Sequence, residues 1–424
     1  MKKNKIKKPA RRGLKISIYL IIFAALISGG IWLYNFLPIG FPDAENYFKP
    51  IGKRKLLYDE KGQWQYVRHQ YDHLGASGDT FKDWDHASMN MWKYAIAFSS
   101  YGMPSLSLID PENKDMAKYT MWLMINKMKS KKVWRDWEDV GFGSDPISYQ
   151  NIMYKGHLNL MYGLYQMMSG DERFSKEYAW LTKQIVDEMR EHHKQGLYDG
   201  TNCEPDKYFV QCNSIGLLSL NIFDRLYGTK YMENEVKLAL DFIKHKMTDP
   251  KTGLYWFHYH PSHNNVEKYL SGYTNAWSIV VLRPLDPSYN EKLYPVWKKT
   301  FVKEIGPYAY VKEYPEGGPS ALATAFGMWA AKEYNDVKMF AKLRNYVDKT
   351  GKLKWDGDRA EMKYEKADNT LNNGTVLSFK LHVGWKNILD YDWGYKKATE
   401  IPDVSQMSWK DVLPQEIHEL KVVK

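Results

Sequence analysis

Cysteine is nearly absent. The 424 residues contain two, Cys203 and Cys212. A fold stapled by disulfides is excluded, and with no C-x-x-C pair so is a zinc-finger scaffold. The 29 glycines and 18 prolines follow no short repeat, which excludes a collagen-like chain. Charged residues at 26% and hydrophobic ones at 44% exclude a disordered chain and leave enough apolar side chains for a large core. The net charge of +10 is also less than it looks. Lys2, Lys3, Lys5, Lys7, Lys8, Arg11, Arg12 and Lys15 carry most of it, with no acid among them. The rest of the chain is close to neutral, so a basic nucleic-acid-binding domain is excluded. What is plentiful is aromatic: 32 Tyr and 16 Trp. Such a surplus lines an apolar pocket or goes into helix packing.

The basic cluster abuts an uncharged run from Ile16 to Leu37. About twenty apolar residues at roughly 1.5 Å each span the roughly 30 Å hydrocarbon layer of a bilayer. The expected order is a basic tail (1–15), a transmembrane anchor (16–37) and a Pro/Gly-containing linker (38–58). A catalytic domain (59–400) and a C-terminal tail (401–424) follow. Basic residues before a span stay in the cytoplasm, so the catalytic domain is expected on the extracytoplasmic side of the membrane. A cleaved signal peptide is the rival reading. It would have an apolar core of only about 7–15 residues and a small-x-small cleavage site. Here the run is longer, it ends in Trp32 and Tyr34, and no A-x-A follows.

Beyond the linker the chain reads almost wholly helical. Apolar residues recur at three- and four-residue spacing in 91–99, 116–128, 152–168, 178–189, 215–226 and 236–247. Turn residues at Asp110, Gly170, Gly228, Asp286 and Asn335 punctuate these runs at steps of 60, 58, 58 and 49 residues. Each marks a helical hairpin. With a first helix near 64–74 and a last near 376–389, about twelve helices result. The fold class is therefore all-α, an (α/α)6 barrel behind an N-terminal transmembrane helix. An open solenoid is the alternative. Against it stand the irregular fourth step and the absence of polar capping repeats. In a closed ring, loops at one end carry the chemistry.

Several side chains are candidates for that chemistry. Cys203 and Cys212, nine apart, are either a simple disulfide or a reactive thiol pair. His157 has Met153 on the same helix face four residues earlier, and is either a hydrogen-bonded core residue or a catalyst. His258, His260 and His263 form H-x-H-x-x-H beside Pro261, with no acid near enough in sequence to complete a metal site, so no metal is expected. Asp136, Glu138 and Asp139, or Glu313 and Glu316, could be the paired carboxylates of a glycosidase or simply solvated loop residues.

Read together, these segments resemble the linalool dehydratase-isomerase family. The shared motifs are Tyr94-x-Ile96-Ala97-Phe98, Leu108-Ile109-Asp110-Pro111, Val133-Trp134-x-Asp136-Trp137-Glu138 and the unbroken block Asn151 to Gln166. Cys203-Glu204-Pro205-Asp206, Tyr208 to Ser214, Tyr259-His260-Pro261, and Tyr273-Thr274 with Ala276-Trp277 continue the match. The resemblance runs in order from about residue 64 to 335 and fades beyond.

The resemblance implies an (α/α)6 barrel, a homo-oligomer (the family pentamer) and no metal or organic cofactor. It implies a hydro-lyase that dehydrates linalool to myrcene and interconverts linalool with geraniol. The family's active-site cysteines fall on Cys203 and Cys212, its histidine on His157, its methionine on Met153 and its pocket tyrosines on Tyr94 and Tyr273. Glu204 and Phe209 match within the cysteine motif. Two departures stand out. Asp79 and Ser130 occupy positions where the family has further cysteines, so its structural disulfide cannot form here. The stretch 71–79 is shorter than in the family: Asp72 is the candidate for its hydroxyl-handling aspartate, and no tyrosine fits the neighbouring position. The expected partners are a small apolar isoprenoid alcohol and, through the N-terminal helix, a membrane, with no nucleic acid. A five-carbon tertiary allylic alcohol is the alternative substrate, and a glycan-active barrel the alternative class.

Overall fold

A computed structural model describes residues 42–74, 92–366, 372–395, 397 and 400–414. The basic tail and the run 16–37 lie outside the described residues. None of the described helices is long and apolar enough to cross a membrane.

Among the described residues, twelve longer helices organise the fold. The first four are α1 (Tyr58–Leu74), α2 (Trp92–Ser100, continued by Gly102–Ile109), α3 (Lys114–Met128) and α4 (Ile152–Ser169). Next come α5 (Ser175–Lys194), α6 (Val210–Tyr227), α7 (Glu235–Lys246) and α8 (Gly272–Leu282). The last are α9 (Pro287–Phe301), α10 (Ala321–Glu333), α11 (Val337–Thr350) and α12 (Asn373–Leu381). The even-numbered helices pack side by side in the order α2–α4–α6–α8–α10–α12 and back to α2, closing a ring. The odd-numbered helices lie outside it, each against an inner neighbour. The result is an (α/α)-barrel arrangement.

Residue pattern explains the two layers. Outer helix α5 buries Tyr178, Leu181, Ile185 and Met189 at helical spacing and leaves Lys183 and Asp187 in water. Inner helix α4 is buried nearly all round, including Lys155, His157 and Asn159. A helix enclosed on every side can keep polar groups only where they find partners. Lys155 pairs with Glu188 of α5, and Asn159 bonds Thr182 and Ser219. Close approach of α4 to α6 needs small residues: a Cβ on Gly156 would lie 3.4 Å from the Gly216 nitrogen.

The turn markers at Asp110, Gly170, Gly228, Asp286 and Asn335 all lie where an inner helix hands over to an outer one. Gly170 and Gly228 end their helices in the left-handed conformation, and Asp286 and Asp336 cap the helices that follow. At the opposite end the connections are long: 129–151, 195–209, 247–271, 302–320 and 351–372. Here the wholly helical reading is corrected. Three small antiparallel sheets occupy these connections: β1 (His258–His260) with β2 (Asn265–Glu267), β3 (Val302–Ile305) with β4 (Tyr308–Lys312) and β5 (Pro319–Ser320), and β6 (Leu353–Asp356) with β7 (Glu361–Tyr364).

The stretches expected to be linker and tail pack onto the ring. Tyr47 is buried against Phe340 of α11, and Trp180 of α5 donates to the Met407 carbonyl. Where outer helix α1 packs against α12, the helix that closes the ring onto α2, lies a buried ionic cluster. Lys380 of α12 reaches Asp348 of α11 at 2.9 Å, Gln63 of α1 at 3.1 Å and Asp59 of α1 at 3.4 Å. Tyr364 donates to the same Asp348, and Tyr47 to Asp59.

Replacing Lys380 with Met keeps the stem but leaves two buried carboxylates without their shared cation. The expected loss is about 3–5 kcal/mol of unfolding free energy in urea titration. A loss below about 1 kcal/mol would show that the cluster does not hold the closure.

Candidate active site

Four sequence-derived candidates sit in the first turn of an inner helix, at the end of the ring with the long connections. They are Tyr94 on α2, Met153 on α4, Cys212 on α6 and Tyr273 on α8. One turn deeper, at the sixth or seventh residue of the inner helices, lie Phe98, His157, Trp277, Phe326 and Phe379. These rings touch. Phe98 lies 4.8 Å from Trp277, 5.1 Å from Phe326 and 5.3 Å from His157 between centroids. Phe326 stacks on Trp277 at 5.6 Å. The first-turn residues therefore stand above a closed aromatic floor.

Cys203 reaches the same place from a loop. Its N–H donates to the Lys207 carbonyl at 2.8 Å, closing a tight turn in which Asp206 has φ +57°. Tyr208 then pairs with Tyr259 of β1 through two 2.9 Å backbone hydrogen bonds before the chain enters α6. That fold-back brings Cys203 and Cys212 within a side-chain hydrogen bond. Both are buried, and the structure holds them as free cysteines.

The electrostatics are set by burial. Removal from water raises the Cys203 thiol well above its ordinary value, reinforced by Cys212 and Glu204 and opposed by Lys93. It also raises the Tyr94 and Tyr273 phenols. Burial, with help from the Lys93 charge, lowers His157 to about 3. At neutral pH these thiol, phenol and imidazole groups are all uncharged. His157 Nδ1 shares a 2.5 Å hydrogen bond with the Tyr101 hydroxyl, while Nε2 is buried with no partner among the described residues. If Nδ1–H donates to Tyr101, Nε2 is a base; if the hydroxyl donates, Nε2–H is an acid. Trp277 Nε1 is likewise buried and unpartnered.

Glu204 and Phe209 form the rim. Glu204 pairs with Lys207 at 2.7 Å, and Phe209 packs 5.0 Å from His258 and 5.4 Å from Phe257. His258 and His260 share a 2.9 Å Nε2 to Nε2 contact, and among the described residues no group of three His, Cys, Asp or Glu converges as metal ligands. Asp72 is not brought to this group. It lies near the C-terminal end of outer helix α1, half-exposed, facing Arg68 and His69 and in reach of Tyr119. Nor do the acidic stretches form a carboxylate pair: Asp136 binds Lys93, Asp139 binds Arg135, and Glu313 accepts from Ser271. Tyr101, Lys93, Phe326 and Phe379 were not singled out from sequence. Lys93 had one visible signal, a charge beside Tyr94 in an otherwise apolar helix.

A neutral buried histidine makes stability depend on acid. The unfolded chain takes up this proton below about pH 6.5, the folded one only near 3. Stability falls as pH drops through that window, by roughly 2–4 kcal/mol at pH 4 from this residue. In His157→Phe the share should vanish, so urea titrations of the two proteins should diverge in slope between pH 6.5 and 4. Parallel slopes would contradict the neutral imidazole.

Solved structures of similar outline exist. One is an α-1,6-mannanase from Salegentibacter sp. HEL1_6, 13% identical over 78% of this chain and 99% of that chain, with a TM-score of 0.48. Another is a family 105 glycoside hydrolase from C. acetobutylicum, 11% identical over 75% and 98%, with a TM-score of 0.46. Likenesses at this level carry no argument about chemistry. A family model does: the one described as linalool dehydratase/isomerase matches residues 93–370, a span holding both cysteines, the histidine and the aromatic floor up to Phe326. The chain belongs to the linalool dehydratase/isomerase family.

Proposed function

We propose that the protein is a hydro-lyase and allylic isomerase that needs no cofactor. It dehydrates a tertiary allylic isoprenoid alcohol, as in linalool to myrcene, and exchanges it with the primary isomer, as in geraniol. The observation that carries this reading is the unpartnered Nε2 of a buried, neutral His157, edge-on to the Tyr94 ring whose phenol lies by the two free thiols.

Dehydration needs a proton donor at oxygen and a proton acceptor at carbon. A protonated thiol and a neutral imidazole are the resting forms those two roles require. In this reading Cys203 gives its S–H proton to the substrate hydroxyl while the C–O bond breaks. Water leaves, and the electron pair stays on sulfur, shared with Cys212 through their hydrogen bond. His157 Nε2 takes the proton from the neighbouring carbon as the second double bond forms. The proton then passes back from the imidazolium to the thiolate. Positive charge on the allylic carbons faces Tyr94, Trp277 and Phe98, each π face stabilising it by about 0.5–2 kcal/mol. Without proton loss, water added back at the other end of the allyl system gives the primary isomer. A raised thiol favours this acid role over attack by a resting thiolate.

The floor also suits such a substrate. An isoprenoid alcohol has one hydroxyl, and this layer offers two unpartnered polar atoms, His157 Nε2 and Trp277 Nε1. A glycan carries a hydroxyl on nearly every carbon, and burying each without a partner costs roughly 1–3 kcal/mol.

Cys203→Ala and Cys212→Ala are each expected to abolish diene release, read by headspace gas chromatography with linalool, a five-carbon tertiary allylic alcohol and an oligosaccharide as substrates. Stability should change by less than the about 2–4 kcal/mol of a lost disulfide. An active Cys→Ala protein would end the thiol proposal.

We also propose that the run 16–37 anchors the ring to a membrane with the catalytic domain on the extracytoplasmic side. The full chain should sediment with membranes after a high-salt wash, and a freely soluble mature form beginning after Leu37 would refute the anchor.

A further inference from the structure

Lys93 is a buried cation near three site groups that are uncharged at neutral pH, the Cys203 thiol, the Tyr94 phenol and the His157 imidazole. It is the second residue of α2, its side chain is 5% exposed, and it is ion-paired with Asp136. Asp136 belongs to a short helical turn, Asp136–Asp139, in the connection between α3 and α4. The Lys93 ammonium lies 5.8 Å from the centre of the Tyr94 ring, whose edge-to-face neighbour at 5.4 Å is His157. Its charge reaches two site groups with opposite requirements, favouring negative charge on Cys203 and opposing positive charge on His157. A buried ion pair is a poor way to gain stability, since apolar residues of similar volume are often as good or better. Its place against the thiol chamber therefore needs another explanation.

We propose that Lys93 is the counter-ion of the thiol site, stabilising the sulfur charge left when Cys203 gives its proton to the leaving hydroxyl, and that Asp136 holds the ammonium in position for this. The inference rests on the acid role assigned to Cys203 above and adds the group that offsets the charge this role leaves on a buried sulfur. Lys93 is a positioning residue, since it acts through the thiol and not on substrate. The same charge keeps the imidazole in its proton-accepting form until the carbon proton arrives. The other ionisable groups facing Cys203 do not supply a cation. Cys212 on α6, Tyr94 on α2, Tyr273 on α8 and Glu204 on the same turn are neutral or acidic. Lys207 is engaged by Glu204, and Glu313 behind Tyr273 is an acid.

The test follows thiol reactivity, which needs no knowledge of the substrate. The full chain is labelled with iodoacetamide across a pH series, and Cys203 and Cys212 are read in separate tryptic peptides because Lys207 lies between them. In Lys93→Met the labelling midpoint of Cys203 should rise by about one pH unit, and Lys93→Arg should restore it. With an active substrate, kcat in Lys93→Met should fall about tenfold with KM within about twofold, as for an interaction made only in the transition state. Lys93→Met leaves Asp136 unpaired. The double variant Lys93→Met/Asp136→Asn removes both charges, and should show the same rise if the single variant does not fold. An unchanged Cys203 midpoint in the folded variants overturns the proposal. Absence of diene from every alcohol, with the midpoint shifted, would overturn the functional reading and leave the counter-ion standing.

Discussion

Six helices packed side by side leave a gap along their common axis, and Phe98 fills it. Its ring meets His157, Trp277, Phe326 and Phe379, one side chain from each of four of the other inner helices. Trp329 continues the packing, stacked on Phe379 at 4.7 Å. Edge-to-face aromatic contacts of this kind contribute about 0.5–1.5 kcal/mol each beyond their burial. The more important effect is geometric. An axis plugged at one depth has a floor, and the first helical turn stands above it. Candidate site groups and ring packing share the same layer, because His157 belongs to both.

A closed floor also fixes the protonation states. Burial disfavours charge on any group, whatever its sign. It therefore moves the Cys203 thiol and the phenols up and the imidazole down, away from each other and away from ionisation at neutral pH. Donor and acceptor can then coexist without first exchanging a proton. In the proposed reaction the cost falls on the intermediate, where charge must form in a poorly screened space. The features proposed to offset it are the π faces of the floor, the hydrogen bond between the two sulfurs, and the ammonium of Lys93.

Much of the architecture was legible because inner and outer helices are long and periodic. The six apolar runs fall on helices α2 to α7 with small shifts at the ends, and all five turn markers fall at inner-to-outer turns. The three small sheets were not legible. Their strands are two to five residues long, too short for an alternation to stand out, and they form because hairpins on long connections pair locally. Of the site, the cysteines, His157, Met153, Tyr94 and Tyr273 were visible through family motifs. Tyr101 was not, since a tyrosine between two helical stretches looks like packing until its hydroxyl is found on Nδ1. Asp72 was chosen by position in a shortened segment, and position alone does not turn an outer helix inward.

The two ends of the ring divide the work, and the division begins in the spacing of the sequence. Short turns with glycine or aspartate caps join inner to outer helices at one end, and the steps of 60, 58, 58 and 49 residues record them. A short turn leaves no chain to spare. Length is available only in the return connections, and there the Cys203 turn, the Lys93 partner Asp136 and the strands under His258 are found. The nine-residue separation of the two cysteines fits this arrangement. One thiol belongs to a loop held by Asp206 and Tyr208, the other to the helix that loop enters, so the chain reverses between them. Loop and helix meet at the mouth of the ring, where a mobile substrate can arrive and a rigid first turn can hold a sulfur in place.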